Sequence, residues 1–241
     1  MHDDRLLTQD RLARVMRERI RPATHRVVAG LEVTAYHVAG GGGEPVPPAT
    51  ALAAGYDSFP VGGRWGPAWG TTWFHLTGVV PQVASGSAVE LLVDLGWRDG
   101  LPGFQAEGLV YRPDGTVVKG LNPRNDWVPV AAPAAGGERL DLYVEAAANP
   151  LVLHGLFAPT ALGEKATAGD AALYRLARAD VTILEAEVWE LVQDLEVLDQ
   201  LARELPADQP RAWEILRALG QALDAVDLDD VAGTAKQARA A

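Results

Sequence analysis

Apolar positions along the 241-residue chain follow two different periods. Between residues 8 and 20, Leu12, Val15, Met16 and Ile20 recur at helical spacing; Thr8 stands as a candidate cap and Pro22 as the stop. From Leu31 the period becomes two, with Leu31, Val33 and Ala35 alternating against Glu32, Thr34 and Tyr36. Strand-like runs follow at Thr71–Leu76, Ala88–Asp94, Gly103–Tyr111, Leu140–Ala146 and Leu151–Phe157, with glycine and proline between them. Arg112-Pro113-Asp114-Gly115-Thr116 joins the third of these to Val117-Val118-Lys119 as a hairpin.

Near Asp170 the period returns to that of a helix. Leu184, Val188, Leu191, Leu195, Leu198, Ala202 and Leu205 form a heptad-like seam, and Pro206 and Pro210 bracket a turn. A second helix carries Trp213, Leu216, Leu219, Leu223 and Val226, and Asp227–Asp230 can cap a third that is unfinished at Ala241. The pattern predicts a mainly β protein with flanking helices: an antiparallel β-sandwich of jelly-roll, galactose-binding-like type, with an N-terminal helix and a C-terminal helical hairpin. The division expected is an N-terminal amphipathic helix over 1–30, a sandwich over 31–163 and a helical connector over 164–241.

Residues 64–76, Arg-Trp-Gly-Pro-Ala-Trp-Gly-Thr-Thr-Trp-Phe-His-Leu, concentrate three of the seven tryptophans. Alternation puts Thr72, Phe74 and Leu76 on one face of this strand and Thr71, Trp73 and His75 on the other. The aromatics read first as sandwich core and second as a sugar-stacking platform.

Composition narrows the classes. The chain has no cysteine, which excludes disulfides and cysteine-based chemistry and fits a reducing, cytoplasmic setting. No run approaches the ~20 apolar residues of a membrane span, so no membrane partner is expected. A formal net charge of −11 argues against nucleic acid. From residue 164 on there are 16 Asp or Glu and 8 Lys or Arg, so much of the negative charge lies on the C-terminal helices. The arginines at 11, 14, 17, 19 and 21 read as a solvated face.

Candidate chemistry is sparse. The histidines, at 2, 25, 37, 75 and 154, show no metal-ligand spacing; His75 reads as a hydrogen-bonded structural imidazole. The glycine run 40–43 lacks the Lys-Ser or Lys-Thr of a phosphate loop, and no Gly-x-Ser-x-Gly elbow occurs. Asp94 and Glu107 are a carboxylate pair that could meet in space. Two loops combine tryptophan with hydrogen-bonding side chains: Trp97 with Gln105, and Arg124 and Asn125 with Trp127. These five are the candidate carbohydrate contacts, although the same composition makes well-formed turns.

The 64–76 motif, followed by Val80-Pro81 and Val89-Glu90-Leu91-Leu92-Val93-Asp94, resembles the N-terminal, non-catalytic region of cytosolic-type α-mannosidases of glycoside hydrolase family 38. Glu187–Leu198 and Arg217-Ala218-Leu219 are similar to the helical connector that follows it there. The resemblance implies an accessory region that braces a catalytic domain or a subunit interface of an enzyme hydrolysing terminal α-mannosyl residues. The family's His-x-Asp-x-Ala-Trp-type metal motif is nowhere in these residues, so no catalytic or metal-binding residue carries over. No cofactor is expected in this chain, while a divalent metal such as zinc is implied for the full-length enzyme. The expected partners are the catalytic domain, mannosides and, through the heptad seam, a second copy of the chain. An accessory role with a missing cover further predicts that Leu184, Leu191, Leu198, Leu216 and Leu223 form an exposed stripe. The alternatives are a stand-alone glycan-binding module and an oligomerisation scaffold.

Overall fold

The computed structural model describes residues 5–41, 43–98, 103, 105–150 and 163–241. It divides into two compact units, one comprising the chain up to Arg26 together with Ile183 onward, the other Val27–Thr182.

The second unit is the sandwich. Its strands are β1 (His25–Gly30), β2 (Glu32–His37), β3 (Asp57–Ser58), β4 (Arg64–Trp65), β5 (Thr71–Val79), β6 (Ala88–Asp94), β7 (Glu107–Tyr111), β8 (Val117–Leu121), β9 (Trp127–Ala131), β10 (Arg139–Ala147), β11 (Tyr174–Arg175) and β12 (Arg178–Leu184). They form a six-stranded sheet ordered β3-β2-β5-β10-β7-β8, a four-stranded sheet ordered β1-β12-β6-β9, and a two-stranded ribbon of β4 and β11. The ribbon pairs Trp65 with Tyr174, and the two rings stack 5.2 Å apart. β5 lies at the centre of the large sheet, antiparallel to both β2 and β10.

Its alternation is the one the residue types dictate. Phe74 and Leu76, with Val33, Ala35, Val144 and Ala146 from its neighbours, are buried in the sandwich interior. Trp65 and Trp73 are 1% and 0% exposed, so two of the three tryptophans of residues 64–76 are core. The third, Trp69, is partly buried and holds a positive φ of 58°. Gly96 is fixed by close approach: at φ +100° a Cβ there would stand 2.8 Å from the Arg175 backbone nitrogen.

β6 spans the expected residues, β7–β8 is a hairpin closed by Arg112 N donating to Thr116 O at 2.8 Å, and β10 extends the expected run by one residue at each end. β1, β9 and β12 are strands that the periodicity does not predict. In β9, Pro129 interrupts the run. β12 is buried at Ala179, Val181, Thr182 and Ile183, a central-strand pattern without clean alternation. Residues 164–182 therefore group with the sandwich and not with the helical connector, and the chain up to Arg26 groups with the C-terminal helices. The Leu151–Phe157 run, His2, Asp99 and His154 lie outside the described residues.

The helical unit consists of α1 (Arg5–Val15), continued as a π-type turn over Met16–Ile20 and a 3₁₀ turn over Arg21–Thr24, followed by α3 (Ala186–Glu204), α4 (Pro210–Ala225) and α5 (Val231–Arg239). A short α2 (Pro48–Leu52) belongs to the sandwich unit. Thr8 falls inside α1 and does not cap it; Pro22 sits in the first turn of the 3₁₀ segment, where a missing N–H leaves no bond unmade. α5 is capped by Asp230, whose Oδ1 accepts from Gly233 N at 3.0 Å, and runs to Arg239.

The apolar faces of these helices are closed on one another. Leu191, Leu195, Leu216, Leu219 and Leu223 are buried with Leu12, Met16 and Ile20 from α1 and its continuation, and with Val231 and Ala235 from α5. The expected exposed stripe is thus covered, with only Leu184 and Leu198 part-exposed, because α1 and α5 supply the missing cover. The arginine-rich segment is also matched to the acidic helices: Arg11 reaches Asp224 at 2.7 Å, and Arg21 pairs with Glu196.

Candidate functional site

The outer face of the six-stranded sheet gathers a polar aromatic group. Cross-strand register sets Thr34 and Tyr143 on either side of His75, and Tyr36 and Glu145 on either side of Trp73. Trp73 is walled in by Val38, Ala51 and Tyr111, with Tyr36, Val46, Leu52, Tyr56, Leu109 and Tyr143 packed around them. Moving along β5, cover gives way to exposure, and His75, Tyr36, Tyr56 and Tyr143 are all part-exposed.

Rings and hydroxyls converge there. His75 and Tyr143 stack with centroids 4.1 Å apart and planes 1° from parallel. Tyr56 sets its ring 5.7 Å from Tyr143, 5.8 Å from His75 and 6.0 Å from Tyr36. His75 Nε2 lies 2.9 Å from Asp141 Oδ1, as expected of a hydrogen-bonded structural imidazole. Tyr111 donates to Glu145 Oε2 at 3.0 Å, and Tyr56 donates to Ala51 O at 3.2 Å. Burial, then the neighbouring Tyr143 and Tyr36, pushes the Tyr56 phenol well up from its ordinary value. Burial and Asp141 raise Tyr143. Thr34 Oγ1 and Trp73 Nε1, both belonging to this face, are buried without a hydrogen-bond partner among the described residues.

The five residues chosen from the sequence fall into two turns. Trp97 donates its Nε1 to Ala106 O at 2.6 Å and its backbone N to Asp94 Oδ1 at 3.1 Å. Gln105, 7% exposed, accepts from Arg98 N through its Oε1 at 2.9 Å. These bonds fix the turn after β6, and Asp94 is engaged in it, also accepting from Gly96 N at 2.8 Å. In the second turn Asn125 Nδ2 donates to Gly120 O at 2.9 Å and its Oδ1 accepts from Lys119 Nζ at 2.7 Å. The Lys119 ammonium stands 3.4 Å from the Trp127 ring centroid, so one face of that indole carries a cation. Arg124 is exposed, its backbone N donating to Asn122 Oδ1 at 2.9 Å.

The helical unit shows a different feature. Trp189, Val197 and Leu201 lie at four- and eight-residue steps along α3 and are 47%, 62% and 43% exposed, on a stripe separate from the buried seam. Among the described residues no three of His, Asp or Glu gather as a metal site. No helix among them is long and apolar enough to cross a membrane.

The sandwich matches a known family of domains. The family model described as "Alpha-mannosidase, jelly roll domain" covers residues 28–182, the span of the sandwich unit to within one residue. The chain belongs to this α-mannosidase jelly-roll family. It is 30% identical over 189 residues to human alpha-mannosidase 2C1 and 29% identical over 189 residues to the mouse protein of that name. Each match takes in 76% of this chain, and the chain spans only 17% of either relative's length.

Proposed function

We propose that this chain is the accessory, non-catalytic N-terminal region of a cytoplasmic α-mannosidase, and that it braces the region carrying the chemistry or an interface between subunits. The observation that carries the reading is the family match over the whole sandwich, in a chain that spans 17% of relatives named as α-mannosidases. In this reading the complete enzyme removes terminal α-mannosyl residues, with a divalent metal held by residues outside this chain. Trp189, Val197 and Leu201 support the bracing role, since these three apolar side chains stay exposed after the helices have closed their own core.

Two measurements test the reading. An antibody raised against this chain should detect a native product several-fold larger than 25.6 kDa, and a native product of 25.6 kDa would overturn it. The 241-residue protein should leave p-nitrophenyl α-mannoside intact, and steady hydrolysis by the purified chain would show that it is itself catalytic.

A further inference from the structure

We propose that the outer face of the six-stranded sheet around Tyr36, Tyr56, His75 and Tyr143 is a binding site for a neutral saccharide. The argument begins with which polar groups on that face are already engaged. Asp141 pairs with His75, Glu145 accepts from Tyr111, and Glu32 stands exposed at the edge of the same face. The Tyr36 and Tyr143 hydroxyls have no hydrogen-bond partner among the described residues, and neither is fully buried. Tyr56 has used its proton on Ala51 O and keeps acceptor capacity. What the face offers a ligand is a set of neutral hydroxyls, each able to donate or accept, clustered on part-exposed rings.

A pyranose matches that offer. Its C–H side provides apolar surface for the rings, and its hydroxyls both donate and accept. Register places Glu32, Thr34, Tyr36, Trp73, His75, Thr77, Asp141, Tyr143 and Glu145 on this face. None of the residues paired beside the rings is Lys or Arg; Arg139 stands one rung beyond Asp141 on the same face, opposite Val79. An organic cation over the tyrosine rings is the competing chemistry. Glu32, Asp141 and Glu145 keep negative charge on this face, so the cation is the ligand that the titration has to separate from the saccharide.

The site stands apart from the Trp97 and Trp127 turns, whose indoles are tied to a backbone carbonyl and a lysine. It also stands apart from the accessory role, because the test needs only the 241-residue chain and no mannosidase activity.

Methyl α-mannopyranoside, methyl β-galactopyranoside and tetramethylammonium chloride would each be titrated into the labelled protein while backbone amide shifts are followed. The expected result is saturable shifts at Thr34, Tyr36, His75 and Tyr143 with at least one glycoside, at millimolar concentration. Tyr36→Phe and Tyr143→Phe, which keep the rings, should each weaken binding about fivefold, while Trp127→Phe leaves it unchanged. Four results would overturn the proposal: no shifts with either glycoside at tens of millimolar, shifts confined to the Trp97 or Trp127 turns, undiminished binding in both tyrosine variants, or a response to tetramethylammonium alone. The wild-type shift map decides the matter even where a variant loses its dispersed spectrum.

Discussion

The two units of this chain are stabilised by different means. The sandwich relies on long ladders and on rings: all five tyrosines and five of the seven tryptophans lie in it. The helical unit has no tyrosine; its interior is aliphatic, and ion pairs reach across its surface. Arg239 of α5 is the clearest of these, contacting Asp194 at 2.8 Å, Glu187 at 3.2 Å and Glu190, three carboxylates of α3. Exposed pairs of this kind contribute modestly and are screened by salt, so packing carries most of the helical unit's stability. A buried ring in the sandwich, by contrast, combines packing with a directed bond. Trp65 donates its Nε1 to Leu95 O at 2.9 Å while stacking on Tyr174 and setting its edge against Phe74.

That contrast can be broken experimentally. Trp65→Ala removes a ring that is 1% exposed and leaves Leu95 O without its donor, so a loss of about 4 kcal/mol is expected. Amide exchange read by mass spectrometry should show the loss over 27–182 alone. Equal loss of protection in the helices would mean that the units unfold together. Leu219→Ala, at a 0% exposed site in the helical core, should cost about 3 kcal/mol and deprotect α3, α4 and α5 first.

The third test uses pH. Burial, aided by Glu145, pushes Tyr111 up to about 12, and burial raises Tyr174 to about 12. A phenol ordinarily ionises near 10, so in these two cases folding favours the neutral form. Their stabilisation is complete below pH 10 and is lost as the pH climbs from 10 to about 12. Phenolate absorbance and unfolding should therefore rise together in the sandwich. A helical unit that melts first in that window would contradict the assignment. The smallest effect is expected from Asp230→Ala, which removes the cap of α5 at a cost of about 1 kcal/mol, visible as faster exchange at Gly233.

The legibility of these elements in the sequence follows from how local their signals are. β6, the β7–β8 turn and the helices α3 and α4 declare themselves within about ten residues, through alternation, Asp-Gly or a heptad spacing. β12 does not, because a strand buried on both faces loses alternation. The cover that α1 gives to the C-terminal helices joins segments about 180 residues apart, for instance Gln9 Nε2 to Asp199 Oδ1 at 3.2 Å, and no spacing rule reaches that far. The tyrosine face was hidden for the same reason. Tyr36, Tyr56 and Tyr143 become neighbours only because β2 and β10 flank β5. The tryptophan turns were visible because glycine and asparagine mark them, but their side chains prove to be engaged within the turns themselves.

Pro129, which obscured β9, has a consequence for how copies of this chain treat one another. Among the described residues β9 is the last strand of its sheet, bonded on one side to β6. Val93 N donates to Asp126 O, and with Leu92 opposite Trp127 and Glu90 opposite Pro129 the alternation turns the position-129 nitrogen away from β6, toward the open margin. A strand from another molecule approaching that margin meets a nitrogen with no hydrogen to give, so intermolecular sheet extension is blocked at its middle. Replacing Pro129 with valine would restore the donor, and light scattering on warming would register the resulting tendency to aggregate.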